Sequence, residues 1–471
     1  MVKGKIGAIG TDASGVFSKR GQSFQKVTQS LSERSVGRCS LALRGTGRNA
    51  PGMSSTSPLP VKRSEIFGWC CFDFANSAFT TIIITVVYAV YFKEAVALDH
   101  ASASSWWGRA LASSQFLVIL VSPWLGAVAD FTARKKRFLM VSATTCSLAT
   151  ASLFFTGAGD VWLALGLVFV ANVAFSLSEN LCASFLPEIS TPENVGRISG
   201  YGWSFGYMGG LLSLGLALGI IMGLEASARW TFVMTGMFFL LASLPTQLLL
   251  RERSQPKSLP PGQSYLTVGW GSIGRTLREL PKHRTLAVFF VAFTFFLSGL
   301  MAIITFASLF GTEVLHLTTT ENIVLFAGLQ ITSALGAFGF GYFQDRVGAK
   351  PTLVIALLLW IVVCGWAAFC QSKAEFFAIG ALAGLGIGSL QSSSRAVVAA
   401  LTPAGRSGEF FGFWGLFGKL GGVIGPLSMG EMATHFGYRT AVLANGAFFL
   451  IGLLILARLK LPGGRRPGPA L

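Results

Sequence analysis

Charged side chains are scarce in this chain. They make up 12% of its 471 residues, whereas a soluble globular domain carries about 25%. Acidic residues are the rarer kind, with 20 Asp and Glu against 37 Lys and Arg. Because 52% of the residues are hydrophobic, the chain cannot cover an ordinary surface with groups that water solvates. The composition excludes a conventional soluble domain and indicates a protein whose surface faces lipid.

Metal-binding and catalytic patterns are also lacking. The four His lie at the ends of apolar segments or between them, and the seven Cys have the spacing of neither metal ligands nor a disulfide framework. We interpret the cysteines as small buried hydrophobic residues. The apolar segments contain no nucleotide-binding motif and no nucleophile–base set, which argues against an enzyme. The sequence therefore predicts no cofactor and no metal site.

A formal net charge of +17 would suit nucleic-acid binding, but the distribution of that charge does not. Eleven Lys and Arg lie in the first 63 residues, and most of the others lie in short loops. A zinc pattern, a recognition helix and a basic surface interleaved with aromatic residues are all missing from the sequence. We therefore expect no nucleic-acid partner.

About twelve apolar stretches follow the N-terminal region, each long enough to cross a bilayer as a helix. They predict an all-α membrane protein with twelve transmembrane helices, α1 to α12, in two halves of six. The predicted spans are 66–92, 105–129, 138–156, 161–185, 198–222, 230–250, 285–309, 322–342, 351–369, 375–399, 409–432 and 440–459.

The segments outside these spans complete the predicted domain organisation. Residues 1–63 form a disordered basic tail, either an organellar transit peptide or an over-long start that precedes translation from Met53. Residues 64–250 and 285–460 are the two halves, and residues 461–471 form a C-terminal tail. Between the halves, residues 251–284 form a cytoplasmic linker in which residues 265–280 suit a helix on the membrane surface.

The distribution of Lys and Arg between loops predicts the orientation. With the N-terminus inside, inner loops and the C-terminal tail hold 19 Lys and Arg, and outer loops hold five. This bias places both termini in the cytoplasm. We expect a multi-pass protein of the plasma (inner) membrane, or of an organelle membrane if the tail is a transit peptide.

The two halves resemble each other weakly. Gly126 and Asp130 close α2 before Arg134, and Gly341 and Asp345 close α8 before Arg346, 215 residues later. A glycine-rich stretch of α5 recurs in α11 at the similar offset of 212. Duplication of a six-helix unit explains these offsets, and chance similarity of glycine-rich helices is the alternative.

We interpret the repeated Gly-x-x-x-Asp motif as a cytoplasmic gating latch. Its aspartate can cap a helix N-terminus or pair with the Arg and Lys of the following loop, and so hold one of two packings. Ordinary topogenic charge is the alternative. The candidate latch residues are Gly126, Asp130, Arg134, Gly341, Asp345 and Arg346.

Four ionisable residues lie inside the apolar spans: Asp73, Glu179, Arg395 and Lys419. Each costs roughly 2.5–3.5 kcal/mol at the bilayer centre, so all four should face a protein-lined or hydrated interior. Polar neighbours accompany them and suit either a cavity lining or simple contacts between helices. The candidate substrate or proton-coupling residues are Asp73, Asn76, Ser77, Glu179, Asn180, Gln391, Arg395 and Lys419.

The signs of these four charges divide between the halves, with both acids in the first and both cations in the second. We expect acids and cations to meet when the cytoplasmic side is closed and to separate when it opens. The same arrangement suits a zwitterion, and Asp73 or Glu179 is a candidate carrier of a coupling proton.

Several motifs resemble a known family. Twelve helices with Gly-x-x-x-Asp after α2 and α8 are similar to the major facilitator superfamily. Residues 72–78 (FDFANSA), 186–192 (LPEISTP), 196–203 (GRISGYGW) and 388–395 (GSLQSSSR) resemble the autophagy-related vacuolar amino-acid effluxers and their bacterial relatives of unassigned substrate. The resemblance implies alternating access of two halves, a cavity between α1, α4, α7 and α10, and, from the fungal members, neutral amino acids such as leucine as substrates.

One motif departs from the superfamily pattern. The first latch reads Asp130-Phe-Thr-Ala-Arg134, where Arg is expected directly after Asp, whereas Asp345-Arg346 fits. The sequence as a whole predicts a monomeric secondary transporter of small polar metabolites, and the resemblance implies that amino acids are the first candidates among them. Alternatives are an exporter of drugs or sugars and a transport-inactive membrane receptor.

Overall fold

The computed structural model describes residues 60–224, 227–259, 262, 264–461 and 463. Nearly all of the predicted basic tail, and most of the predicted C-terminal tail, lies outside these residues. The description below therefore covers the two predicted halves and the linker between them.

Eleven helical segments of the described chain are long and apolar enough to cross a membrane. The first half contains α1 to α6: Arg63–Val96, Ala103–Thr132, Lys135–Phe155, Val161–Ile189, Val195–Gly223 and Arg229–Leu249. The second half contains α7 to α10, which are Arg284–Leu315, Thr319–Val347, Ala349–Phe369 and Lys373–Leu401, and then the long segment Ser407–Ala457.

The long last segment is two helices joined at Gly437. This residue has a φ of 78° and a ψ of 161°, a backbone conformation outside the helical region. The break separates α11, residues 407–436, from α12, residues 438–457. The predicted all-α fold with twelve helices is therefore confirmed.

Helix α1 is irregular in its second half. Residues Phe79–Val86 form a π-helical stretch, and the Thr85 hydroxyl donates to the Thr80 carbonyl, 2.9 Å away and five residues earlier. Residues 80–87 are all β-branched, and such side chains crowd the preceding turn of an α-helix. This crowding gives a physical reason for the wider turn.

The linker lies at one end of the bundle, which we name the linker face. The loops α2–α3, α4–α5, α8–α9 and α10–α11 lie at the same end, and the opposite end is the far face. The linker contains a helix, Tyr265–Arg278, and a short 3₁₀ turn, Leu280–His283. Its first residues are held on the first half, because the Arg253 guanidinium binds the Glu65 carboxylate (Nη2–Oε2 2.8 Å).

We predict that Gly437→Ala destabilises the protein. A side chain at this φ and ψ costs about 1–3 kcal/mol, so the variant should have a lower apparent melting temperature in detergent micelles. Gly365→Ala is the matched control, because Gly365 is helical and an added methyl group meets no atom within 4 Å. Equal melting temperatures for the two variants would contradict the prediction.

Candidate functional site

An ion pair joins the halves between α1 and α10. The Arg395 Nη1 lies 2.7 Å from the Asp73 Oδ2, and the arginine side chain is 3% exposed. The same guanidinium donates from Nη2 to the Ser199 carbonyl (2.8 Å) and from Nε to the Ser199 hydroxyl (3.1 Å). The buried charge is thus both paired and hydrogen-bonded, which is the condition for tolerating it in a low-dielectric interior.

Two indole rings enclose this guanidinium. The Arg395 Cζ lies 4.7 Å from the ring centroid of Trp69 and 5.2 Å from that of Trp203, within the range of cation–π attraction. Gly202 lies directly against the pair, and a side chain there would collide with the Asp73 carboxylate and the arginine. The Asp73–Arg395 pair is therefore closed off by its neighbours.

The second acid and the second cation behave differently. Glu179 on α4 and Lys419 on α11 both line a cavity of about 270 Å³ between the halves, and both are half-buried. Within the described chain no ion pair of 4.0 Å or less joins them. The two side chains interact electrostatically across the cavity without direct contact, and both face the interior space.

The rest of the cavity lining is mixed. Polar groups come from α2, α4 and α10, and apolar groups come mainly from α7 and α11. The polar members besides Glu179 and Lys419 are Gln115, Asn180, Gln391 and Ser394, and the larger apolar members are Trp203, Phe293, Leu297, Met301, Trp414 and Val423. The indole N–H groups of Trp203 and Trp414 and the amide oxygen of Gln115 are buried and have no hydrogen-bond partner among the residues that the structure describes.

The predicted polar neighbours divide between cavity and helix contacts. Asn180 and Gln391 line the cavity, where Asn180 donates to the Ser122 hydroxyl (2.7 Å) and Gln391 accepts from the Tyr207 hydroxyl. Asn76 is buried near Asp73 on α1, and the Ser77 hydroxyl turns back onto the Asp73 carbonyl (2.8 Å). The structure thus places Asn76 and Ser77 beside the closed pair.

At the linker face, Asp130 caps a helix of the other half. Its Oδ1 accepts from the backbone N–H of Gly408 (3.0 Å) and its Oδ2 from that of Glu409 (2.9 Å), at the N-terminus of α11. Gly126 makes this approach feasible, because a side chain there would collide with the Gly408 backbone. A carboxylate in this position satisfies N–H groups that have no partner within their own helix.

The second motif makes the reciprocal contact. Asp345 accepts from the backbone N–H groups of Gly196 (2.8 Å) and Arg197 (3.2 Å), at the N-terminus of α5. An added Cβ at Gly341 would lie 2.8 Å from the Gly196 carbonyl oxygen, so both motif glycines lie where two helices touch. Each half therefore caps one helix of the other.

The cations that follow the two motifs have different environments. Arg134 and Arg346 are exposed, whereas Lys135 is fully buried and lies 3.7 Å from the Asp130 carboxylate. Lys135 also pairs with Glu188. The charge run after α2 marked this region in the sequence, but nothing in it distinguished the buried lysine from its exposed neighbours.

The linker helix lies on this capped end. The Ser272 hydroxyl donates to the Glu409 carboxylate (2.9 Å) and the Thr276 hydroxyl donates to the same group. Gly269 packs against the Trp124 ring of α2. The helix predicted on the membrane surface thus contacts α2 of the first half and α11 of the second.

One titratable group of the linker is perturbed by its position. Burial raises the pKa of the Glu252 carboxyl, and its hydrogen bond from the Lys136 backbone N–H (2.9 Å) opposes that change. The segment after α6 is therefore packed onto the end of α3 and is not free in solvent.

Two solved structures share this arrangement of helices. The chain is 15% identical to the human organic anion transporter MFSD10 (TETRAN), with a TM-score of 0.67 over 84% of this chain and 99% of that one. For the proton:xylose symporter XylE the values are 13%, 0.65, 85% and 96%. The fold is that of a major facilitator superfamily transporter, a multi-pass membrane protein.

Within this superfamily the chain has a narrower affiliation. The family model described as "Vacuole effluxer Atg22 like" matches residues 102–468, and the chain belongs to this family. It is 27% identical to the uncharacterized MFS-type transporter YxiO of Bacillus subtilis, over 83% of this chain and 93% of that protein.

Two further relatives are named for different processes, one for autophagy and one for drug efflux. Autophagy-related protein 22-1 of Penicillium rubens is 22% identical, and the match spans 58% of this chain and about half (51%) of that protein. The multi-drug resistance efflux pump PmrA of Streptococcus pneumoniae is 25% identical over 78% of this chain and 88% of that protein. These relatives belong to a class of transporters that are not enzymes.

We predict that Asp130→Asn with Asp345→Asn opens the linker face. Loss of two charge-assisted caps removes roughly 2 kcal/mol. Thr191 and Ala404 are exposed there on opposite halves, and the six described cysteines are buried. Spin labels are attached at Thr191→Cys and Ala404→Cys in a Cys39→Ser background. Double electron–electron resonance should then report a longer distance between the two labels in the double variant than in the protein with both aspartates.

The matched control for this experiment is Asp160→Asn. Asp160 accepts from the Gly157 backbone N–H (2.9 Å) at the far face, so the substitution removes a similar bond without touching the latch. The prediction is wrong if the double variant keeps the distance distribution of the control.

We predict that Asp73→Asn is more damaging alone than together with Arg395→Gln. Removing one partner of a buried ion pair costs about 3–5 kcal/mol, because the other charge is left uncompensated. Thermal unfolding in detergent micelles should therefore show a large loss for either single variant and a partial recovery for the double variant. If the stability losses of the two single variants simply add in the double variant, the proposed mutual compensation of the two charges is wrong.

Proposed function

We propose that this protein is a secondary transporter of small polar solutes, with amino acids as the first candidates, and that it works by alternating access of its two halves. The observation that carries the proposal is the cavity of about 270 Å³ between the halves, with Glu179 from one half and Lys419 from the other. Ligand pockets usually measure about 300–1,000 Å³. A cavity of this size favours a small solute.

The linker face is the cytoplasmic side in this proposal, and both termini are cytoplasmic. The reciprocal caps and the Asp73–Arg395 pair then keep the cytoplasmic side closed. Opening then requires Asp73 of the first half to separate from Arg395 of the second. A gradient drives the cycle, and the protein acts as a monomer in the plasma membrane or in an organelle membrane.

Export of drugs is the second candidate function, favoured by the similarity to PmrA. Two charged side chains of opposite sign in a small cavity suit a polar solute better than a bulky apolar one. A transport-inactive receptor is a third candidate, and it would tolerate loss of both cavity charges.

The deciding experiment is transport by purified protein in liposomes. We expect uptake of at least one labelled neutral amino acid under an imposed proton gradient, and loss of that uptake in the Asp73→Asn, Glu179→Gln double variant. Full transport by the double variant would refute the role of the acids. Movement of drugs or sugars alone would favour the alternative function.

We predict that Gly422→Leu narrows the range of transported solutes. Gly422 lines the cavity, and a Cβ atom added there meets no atom within 4 Å, so a larger side chain starts from open space beside the cavity. Uptake of leucine should fall roughly tenfold or more relative to alanine. Gly365→Leu is the control, because Gly365 is equally open but belongs to α9, outside the cavity lining. The same selectivity in both variants would contradict the prediction.

A further inference from the structure

We propose that the cavity binds a zwitterion in one orientation, with its ammonium group at Glu179 and its carboxylate at Lys419 and the indole N–H groups of Trp203 and Trp414. This inference rests on the proposed function. It goes further in assigning each end of the solute to particular residues, and in excluding one of the two acid–cation sets from recognition.

The Asp73–Arg395 pair is not available to a solute. The two charges are in contact at 2.7 Å, and Ser199 and two indole rings occupy the remaining sides of the guanidinium. A ligand that used this arginine would first have to break the ion pair. Recognition of charge is therefore left to Glu179 and Lys419.

These two residues face each other across free space. Each comes from a different half and lacks an ion-pair partner within 4.0 Å among the described residues. Half-buried charges without partners are unfavourable. A solute that carries both charges compensates both at once, whereas an amine or a carboxylic acid compensates one and leaves the other uncovered.

The indole N–H groups determine the orientation of the bound zwitterion. An indole N–H donates and cannot accept a hydrogen bond, so the partner it lacks must be an acceptor such as a carboxylate oxygen. Both N–H groups are buried and unpartnered, and Trp414 is 8% exposed. Trp414 lies on α11 together with Lys419, so this helix brings both a hydrogen-bond donor and a cation to the cavity wall.

The remaining wall predicts the side chain of the solute. Phe293, Leu297 and Met301 line the cavity from successive turns of α7. This stripe is apolar and adaptable, because methionine is flexible. An aliphatic side chain of moderate size suits it, and leucine is therefore the probe for the experiment.

The test compares three ligands by calorimetry on purified full-length protein: leucine, isoamylamine, which lacks the carboxylate, and 4-methylpentanoate, which lacks the ammonium group. Wild type should bind leucine at least about tenfold more tightly than either analogue, because each analogue leaves one charge unpaired. Lys419→Met should weaken leucine to the level of isoamylamine and leave isoamylamine unchanged. Glu179→Gln should weaken leucine to the level of 4-methylpentanoate and leave the binding of 4-methylpentanoate unchanged.

Trp414→Phe provides a finer test, because it removes the N–H group and keeps an aromatic ring. It should weaken leucine and 4-methylpentanoate and leave isoamylamine unchanged. Retained binding of the unaffected analogue shows that each variant is folded.

The outcomes separate the two proposals. If wild type binds no amino acid, the proposed substrate class is wrong, and this inference is wrong with it. If wild type binds leucine but all three ligands weaken equally in each variant, or the pattern is reversed, the assigned orientation alone is overturned.

Discussion

Two carboxylates join the halves of this protein by accepting hydrogen bonds from the first backbone N–H groups of a helix that belongs to the opposite half. Asp130 meets the start of α11, and Asp345 meets the start of α5. The contact needs glycine on the aspartate's own helix, because any side chain would hold the backbones apart. The repeat seen in the sequence is therefore a structural reciprocity, in which duplicated motifs exchange partners between duplicated bundles.

The charges deeper in the bundle follow from the same constraint, which is that an ion in a low-dielectric interior needs compensation. One acid–cation set obtains it within the protein, through direct contact and two enclosing indoles. The other set is left apart, with a cavity between its members. The Asp73–Arg395 pair therefore has a structural role. Glu179 and Lys419 remain accessible from the cavity.

Much of the architecture could be predicted from the sequence, because the twelve apolar runs and the charge bias both report on the same bilayer. The four intramembrane charges were identified by their cost in that bilayer, and the two motif aspartates by the repeated Gly-x-x-x-Asp motif. Periodicity does not show which neighbour a helix face meets, so the buried state of Lys135 and the unpartnered N–H groups of Trp203 and Trp414 required the structure. The linker helix was predicted as a helix, but its contact with Glu409 depends on tertiary packing that local composition does not encode.

The contact of the linker helix with Glu409 has a consequence for the connection between the halves. The polypeptide that tethers them is also bound across the crevice where they meet, on α2 through Gly269 and on α11 through Ser272 and Thr276. Any separation of these helix ends must therefore break the contacts of the linker helix with α2 or with α11, or extend the residues on either side of the linker helix. In the alternating-access cycle proposed above, the tether adds its own resistance to the separation of the halves, so its contacts belong among the features expected to influence the turnover rate.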